Sequence, residues 1–318
     1  MNTTDTAIEE IKQEKEKTTK SKFFNVMLLA FKIVTKTFKI SAKMTKLALA
    51  GVSLAAYSYV YSWKFALILM LQLLIHEYGH IWAMKKVGIK TRGIYFIPFV
   101  GGAAVAEEDF KTRRDEVFVA IMGPIFGFAC ALSMLITYYV TDMPLFAAAA
   151  SWMAMLNLFN LLPINPLDGG RIMKSIAFSL HSYIGIAFLI VGILGGIALA
   201  IYAHIWIFIL VIILSSLELL VEFYFMRRRK KDEEEYERLI TRYHEIMEKH
   251  NLTEEQKQQI MNDHPLPELV KIPVKPVMNT KEIIYSALGF FALAIILYLF
   301  MAATAHIPGA SIAKELLD

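Results

Sequence analysis

The sequence predicts an all-α polytopic membrane protein of about six or seven transmembrane helices, with a small β-hairpin or short sheet after the helix that carries HEYGH. Three observations predict it. Of the 318 residues 56% are hydrophobic, and mean hydropathy is +0.48, whereas soluble domains run at about 45–50% apolar. The apolar residues gather in long blocks. Lysine and arginine crowd one alternating set of loops and avoid the other.

Composition also excludes classes. Cys130 is the only cysteine, so neither an intrachain disulfide nor a thiolate-rich metal cage is available. A net charge of +4 is small and dispersed, which argues against nucleic acid as a partner and for basic residues as topology signals beside a lipid bilayer.

In chain order, Met1 to Lys20 is polar and charged, without an apolar core leading to a small-residue cleavage site. It reads as a solvated cytosolic tail, not a signal peptide. Phe23 to Met44 is apolar but carries Lys32, Lys36, Lys39 and Lys43 on one helical face, the pattern of a helix lying in the headgroup region. Leu47–Tyr61 and Phe65–Met84 are apolar runs split by Trp63 and Lys64; with roughly 20 residues needed to cross, the first is short and the second adequate. Gly88 to Glu108 contains GIYFIPFVGGAAV, whose β-branched, aromatic, Gly and Pro content predicts one or two short strands with a turn. Further apolar blocks cover Val117–Val140, Leu145–Leu162, Ile184–Tyr202 and Ile205–Phe225, which Arg227 to Lys231 ends abruptly. Asp232 to Met261 is charged, with Tyr236, Leu239, Tyr243, Ile246 and Met247 at helical steps, an amphipathic helix at the surface and a place for a regulator to bind. A linker with Pro265, Pro267, Pro273 and Pro276 leads to a last apolar block, Ile283–Ala303.

This divides the chain into a polar tail (1–22), a basic in-plane helix (23–46), a membrane-embedded core (47–226), a charged helix with its Pro-rich linker (227–278) and an additional span with a short tail (279–318). Lys85, Lys86, Lys90, Arg92, Lys111, Arg113, Arg114, Arg171, Lys174 and the Arg227 cluster fall on one side. The positive-inside rule makes that side and the amino terminus cytosolic, with a bacterial cell membrane as the expected location.

The chemistry is concentrated in His76-Glu77-Tyr78-Gly79-His80. Residues four apart share a helical face, so His76 and His80 can present two imidazoles to one zinc, with Glu77 beside them as general base to a water. The motif ends the apolar run FALILMLQLLI, where ionisable groups are costly unless they serve a function. A catalytic zinc takes three protein ligands. Asp168 is the leading third candidate, because it closes the Pro-broken segment NLLPINPLDGG, and non-helical backbone at membrane depth belongs beside a cavity. Glu218 and Glu222, four apart near the end of a membrane helix, are the alternative. His181, His204 and His306 lie at the ends of spans, where interface residence accounts for them.

HEYGH within an apolar helix, followed by NLLPINPLDGGR, resembles the paired signatures of the site-2 protease family of intramembrane zinc metalloproteases. The resemblance covers residues 65–225, and Met122-Gly123-Pro124-Ile125-Phe126-Gly127 is similar to the family's small-residue motif. It implies one zinc per chain held by His76, His80 and Asp168, with Glu77 activating the water and Asn160 helping to stabilise the oxyanion. The implied substrate is a transmembrane or membrane-proximal protein or peptide. Asn165 departs from the family pattern at a position that is not a ligand. A catalytically inactive, client-binding homologue is the competing expectation; it would lack Glu77 or a ligand, and the sequence has all of them. The Tyr95–Val105 stretch is expected either to pair with an extended substrate or to form a plain re-entrant hairpin. Gly101 and Gly102 suit the close approach either one needs. Gly123 and Gly127, four apart, read as helix-packing positions.

Overall fold

The computed structural model describes Thr6, Ile8, Glu10 and residues 42–60, 62–98, 101–203, 207–250, 252–263, 275–305 and 307. The predicted in-plane helix over 23–46 lies outside the described residues up to 41, and so does the proline linker from 264 to 274, along with His204 and His306. The chain forms two compact units, Ser41–Val221 with Lys275–Asp318, and Met1–Ile40 with Glu222–Val274.

The first unit holds the predicted apolar blocks as helices: α1 (Ala42–Val60), α2 (Trp63–Lys86), α3 (Arg113–Thr141), α4 (Pro144–Asn160), α5 (Asp168–Leu180), α6 (Ser182–Ala203), the apolar part of α7 (Ile207–Lys249) and α9 (Thr280–Ala305). Five of these, α2, α3, α6, α7 and α9, are long and apolar enough to cross a membrane. The apolar part of α1, Lys46–Val60, is shorter, and α4 has only 17 residues. Local chemistry sets the ends. Ser62 accepts from the Phe65 N–H at the start of α2, and Thr112 accepts from Asp115 at the start of α3, each satisfying an amide that a helix end leaves open. Asn279 and Glu282 cap α9 reciprocally, each side chain accepting from the other's backbone N–H at 3.0 Å, a capping box with asparagine in the Ser/Thr place.

Between α2 and α3 lies the expected hairpin. Strands β1 (Thr91–Ile97) and β2 (Gly101–Ala106) pair antiparallel, with Ile94 opposite Ala104 and Phe96 opposite Gly102. The register shifts between Thr91 and Gly93, where Gly93 takes φ 96°, a conformation open to glycine. Lys46 of α1 fastens this irregularity by donating to the Arg92 carbonyl, and its ammonium lies 5.0 Å from the Tyr95 ring centroid.

The last span is part of the core. Phe290, Leu293 and Leu297 of α9 pack with Val117 and Ala120 of α3, Ala154 of α4 and Ile172 and Ile176 of α5. A helix outside the recognised signatures therefore walls the elements that carry them.

The second unit contains the charged part of α7 and the helix α8 (Glu254–Asp263). Its core is Leu239, Tyr243, Ile246, Met247, Leu252 and Ile260 with Ile8 packed against it, and Lys249 pairs with Glu10 at 2.8 Å. Thr6, Ile8 and Glu10 are helical. Ile8 and Glu10 thus make contacts where composition alone predicts a solvated tail.

Candidate metal centre

His76, Glu77 and His80 lie on the carboxyl-terminal half of α2 and are buried, with 3%, 7% and 5% of their surface exposed. Their helix lies close against α3 because residue 79 has no side chain. A Cβ there would stand 2.9 Å from Phe126 Cβ. Gly123 and Gly127 of α3 do more than allow packing. A Cβ at Gly123 would run into both imidazoles, and one at Gly127 into the Asn157 amide. The space these side chains occupy is made by the two glycines.

The outer nitrogens of both imidazoles are engaged. Asn157 Nδ2 donates to the Met153 carbonyl at 2.8 Å, which fixes the amide with Oδ1 towards His76. His76 Nδ1 lies 3.0 Å from that oxygen, so it carries the proton and donates. His80 Nδ1 donates to the Val119 carbonyl at 2.8 Å. Both rings thereby turn an unprotonated Nε2 inward.

Those two nitrogens meet the carboxylate of Asp168, the first residue of α5 and 8% exposed. Asp168 Oδ2 is 3.0 Å from His76 Nε2 and 3.2 Å from His80 Nε2, and the nitrogens are 3.2 Å apart. Ligand atoms around a tetrahedral zinc with bonds of about 2.0–2.2 Å stand about 3.3–3.5 Å from one another. The triangle is nearly of that size. Three lone-pair donors pointed at one another in a buried site repel unless a cation lies between them. One proton relieves a single contact; one divalent ion relieves all three.

Among the described residues this is the group of His, Cys, Asp and Glu close enough to share an ion. Glu218 and Glu222 are not part of it. Glu218 is instead taken by Lys174 Nζ and Asn165 Nδ2. Glu77 accepts from the Ala104 N–H of β2 through Oε2 at 2.6 Å, and Gly102 is tight against it, since a Cβ there would be 2.6 Å from Glu77 Cγ. Asn160 ends α4, half-buried, and makes no hydrogen bond to these side chains. The asparagine that touches the site is Asn157, one turn earlier and fully buried. A polar residue directly after the apolar run LFAAAASWMAML, still inside the same apolar block, was the available signal for it. His181 is exposed and stacks on Tyr183 with ring centroids 5.4 Å apart, away from the centre.

Membrane-length helices around a buried two-histidine, one-aspartate site define an integral membrane protein with a site suited to a divalent metal. Residues 64–148 match the model of peptidase family M50, a stretch that holds HEYGH and ends before Asp168. A zinc metalloprotease of Methanocaldococcus jannaschii is 31% identical over 123 residues, covering 37% of this chain and 35% of that one. Stage IV sporulation protein FB of Bacillus subtilis is 31% identical over 112 residues, 35% of this chain and 39% of that one. The chain thus matches little more than a third of the length of these relatives. Among solved structures, the site-2 protease from Methanocaldococcus jannaschii is similar with a TM-score of 0.41 and 25% identity, over 58% of this chain and 93% of that one. Over residues 64–148 the chain is thus similar to the M50 peptidase family and to relatives named as zinc metalloproteases.

Proposed function

We propose that the protein is an intramembrane zinc metalloprotease that hydrolyses peptide bonds of transmembrane or membrane-proximal substrates. The observation that carries this is the convergence of His76 Nε2, His80 Nε2 and Asp168 Oδ2, with both tautomers set by Asn157 and Val119. Those three side chains would hold one zinc. Zinc, when bound, supplies a Lewis acid and lowers the pKa of water towards about 7. Glu77, adjacent to His76 on the same helix, takes the proton of the attacking water. Its Oε2 is already held by Ala104, which keeps the carboxylate beside the hairpin. Asn160 donates to the oxyanion that develops on the scissile carbonyl, a contact of a kind that contributes about 2.7–4 kcal/mol. An extended substrate adds at the hairpin, because a helix hides its amides in its own hydrogen bonds until it unwinds.

The five-part division, from the polar tail (1–22) to the last span (279–318), belongs to this proposal, with basic loops, amino terminus and site mouth on the cytosolic side of a bacterial membrane. The 232–261 stretch, which divides between the charged part of α7 and α8, offers its exposed face as a surface for a regulator. The test is zinc content by elemental mass spectrometry on detergent-purified protein, with His76→Ala and Asp168→Ala beside the wild type. We expect one zinc per wild-type chain and loss in both folded variants; folded wild type that takes up no zinc on reloading would leave the client-binding homologue in its place.

A further inference from the structure

A second buried polar cluster lies along α5, apart from the metal-ligand atoms. Lys174, 4% exposed, reaches Glu116 Oε1 of α3 at 3.1 Å and Glu218 Oε1 of α7. Glu116 Oε2 in turn accepts from Ser175 at 3.1 Å and from Lys275 at 3.4 Å. Glu218 Oε2 accepts from Asn165 Nδ2, and Ser215, one turn before Glu218, donates to the Asn165 carbonyl.

One carboxylate thus grips the chain on both sides of Asp168. Asn165 is three residues before it, in the loop; Lys174 is six residues after it, on the helix that Asp168 begins. Loop and helix are already pressed together, because Gly169 and Gly170 leave no room for a Cβ against Leu161, Ile164 and Asn165 backbone. What remains to be set is where this joined unit stands relative to α2 and its histidines. Lys174 and Glu116 set it against α3, and Glu218 and Ser215 set it against α7. Buried ion clusters are often no more stabilising than apolar side chains of the same volume, so stability alone does not account for placing four charges here. Fixing the position of a ligand does.

We propose that Glu218, acting through Lys174 and Asn165, is a positioning residue that places the Asp168 carboxylate at the metal centre. This rests on the metalloprotease reading. The experiment measures zinc affinity of the full-length protein in detergent by competition with a chromophoric chelator. Wild type, Glu218→Gln, Asp168→Ala and the double variant are compared. Glu218→Gln weakens zinc by about tenfold or more, the usual size of an outer-shell effect. In the Asp168→Ala background the same substitution changes the residual affinity less than about twofold, because the route through that carboxylate is gone. Undiminished affinity in Glu218→Gln overturns the assignment, and so does an equal loss in both backgrounds, which would mark general loosening. Absence of zinc from wild type is a different result and removes the metal-centre reading itself. Where Glu218→Gln does not fold, Ser215→Ala, which deletes only the donor to the Asn165 carbonyl, is read against the same criteria.

Discussion

Asn157 Oδ1 accepts from His76 Nδ1 at 3.0 Å while its own Nδ2 donates to the Met153 carbonyl. The amide is locked at both ends, so it selects one tautomer of the imidazole. Asn157→Ala should weaken zinc binding by about 10- to 100-fold without unfolding α4, and Asn157→Asp, which keeps the acceptor, should recover most of it. Chelator competition on the two variants checks this; equal loss in both would point to packing instead.

Gly123 is expected to be intolerant of a single methyl group. A Cβ there overlaps both imidazoles, so Gly123→Ala should abolish stoichiometric zinc while the helix, for which alanine is the better former, stays intact. Zinc content together with circular dichroism separates the two effects. Full zinc in the alanine variant would show that the rings have room to retreat.

Glu77→Gln should keep zinc and lose proteolysis. Glutamine fills the same space and can still accept from Ala104, but it takes no proton from water. General base catalysis contributes about 10²–10⁴-fold. Cleavage of a single-span substrate in proteoliposomes is the assay, with metal content measured on the same preparation.

The Glu222–Val274 segment has its own small core, so damage there should stay local. Leu239 is 3% exposed among Tyr243, Ile246 and Ile260. Leu239→Ala should cost about 2–5 kcal/mol of that unit's stability. Hydrogen exchange should rise over α8 and the charged part of α7, while zinc content stays at the wild-type level.

Much of this was legible from spacing. Two histidines four apart in an apolar helix and an aspartate after a Pro-broken segment identify themselves, because ionisable groups at that depth demand a partner. The hairpin announces itself by composition. What spacing does not reveal is which neighbour each polar atom meets. Asn157 and Asn160 stand three apart in one sequence run, and only the packing of α4 on α2 distinguishes the residue at His76 from the residue at the helix end. Glu218 reads only as an alternative ligand, four residues from Glu222 near the end of a membrane helix. Its partner Lys174 lies 44 positions away, and no periodicity links them. The glycines of α3 carry a similar lesson: their spacing suggests helix contact, and beyond that they clear volume for side chains of other helices, the imidazoles of α2 at Gly123 and the Asn157 amide of α4 at Gly127.

The hydrogen bond from Ala104 to Glu77 is made by main chain, and that has a consequence for how the hairpin can diversify. Apart from proline at position 104, no exchange of side chain removes the donor, and the pairing of Ile94 with Ala104 that aims it is likewise a backbone property. Gly102 must stay small, and Gly93 and Gly101, at φ 96° and 122°, favour glycine as well. Exposed hairpin positions such as Arg92 and Ile97 can change size, charge and shape while the donor to Glu77 keeps its place.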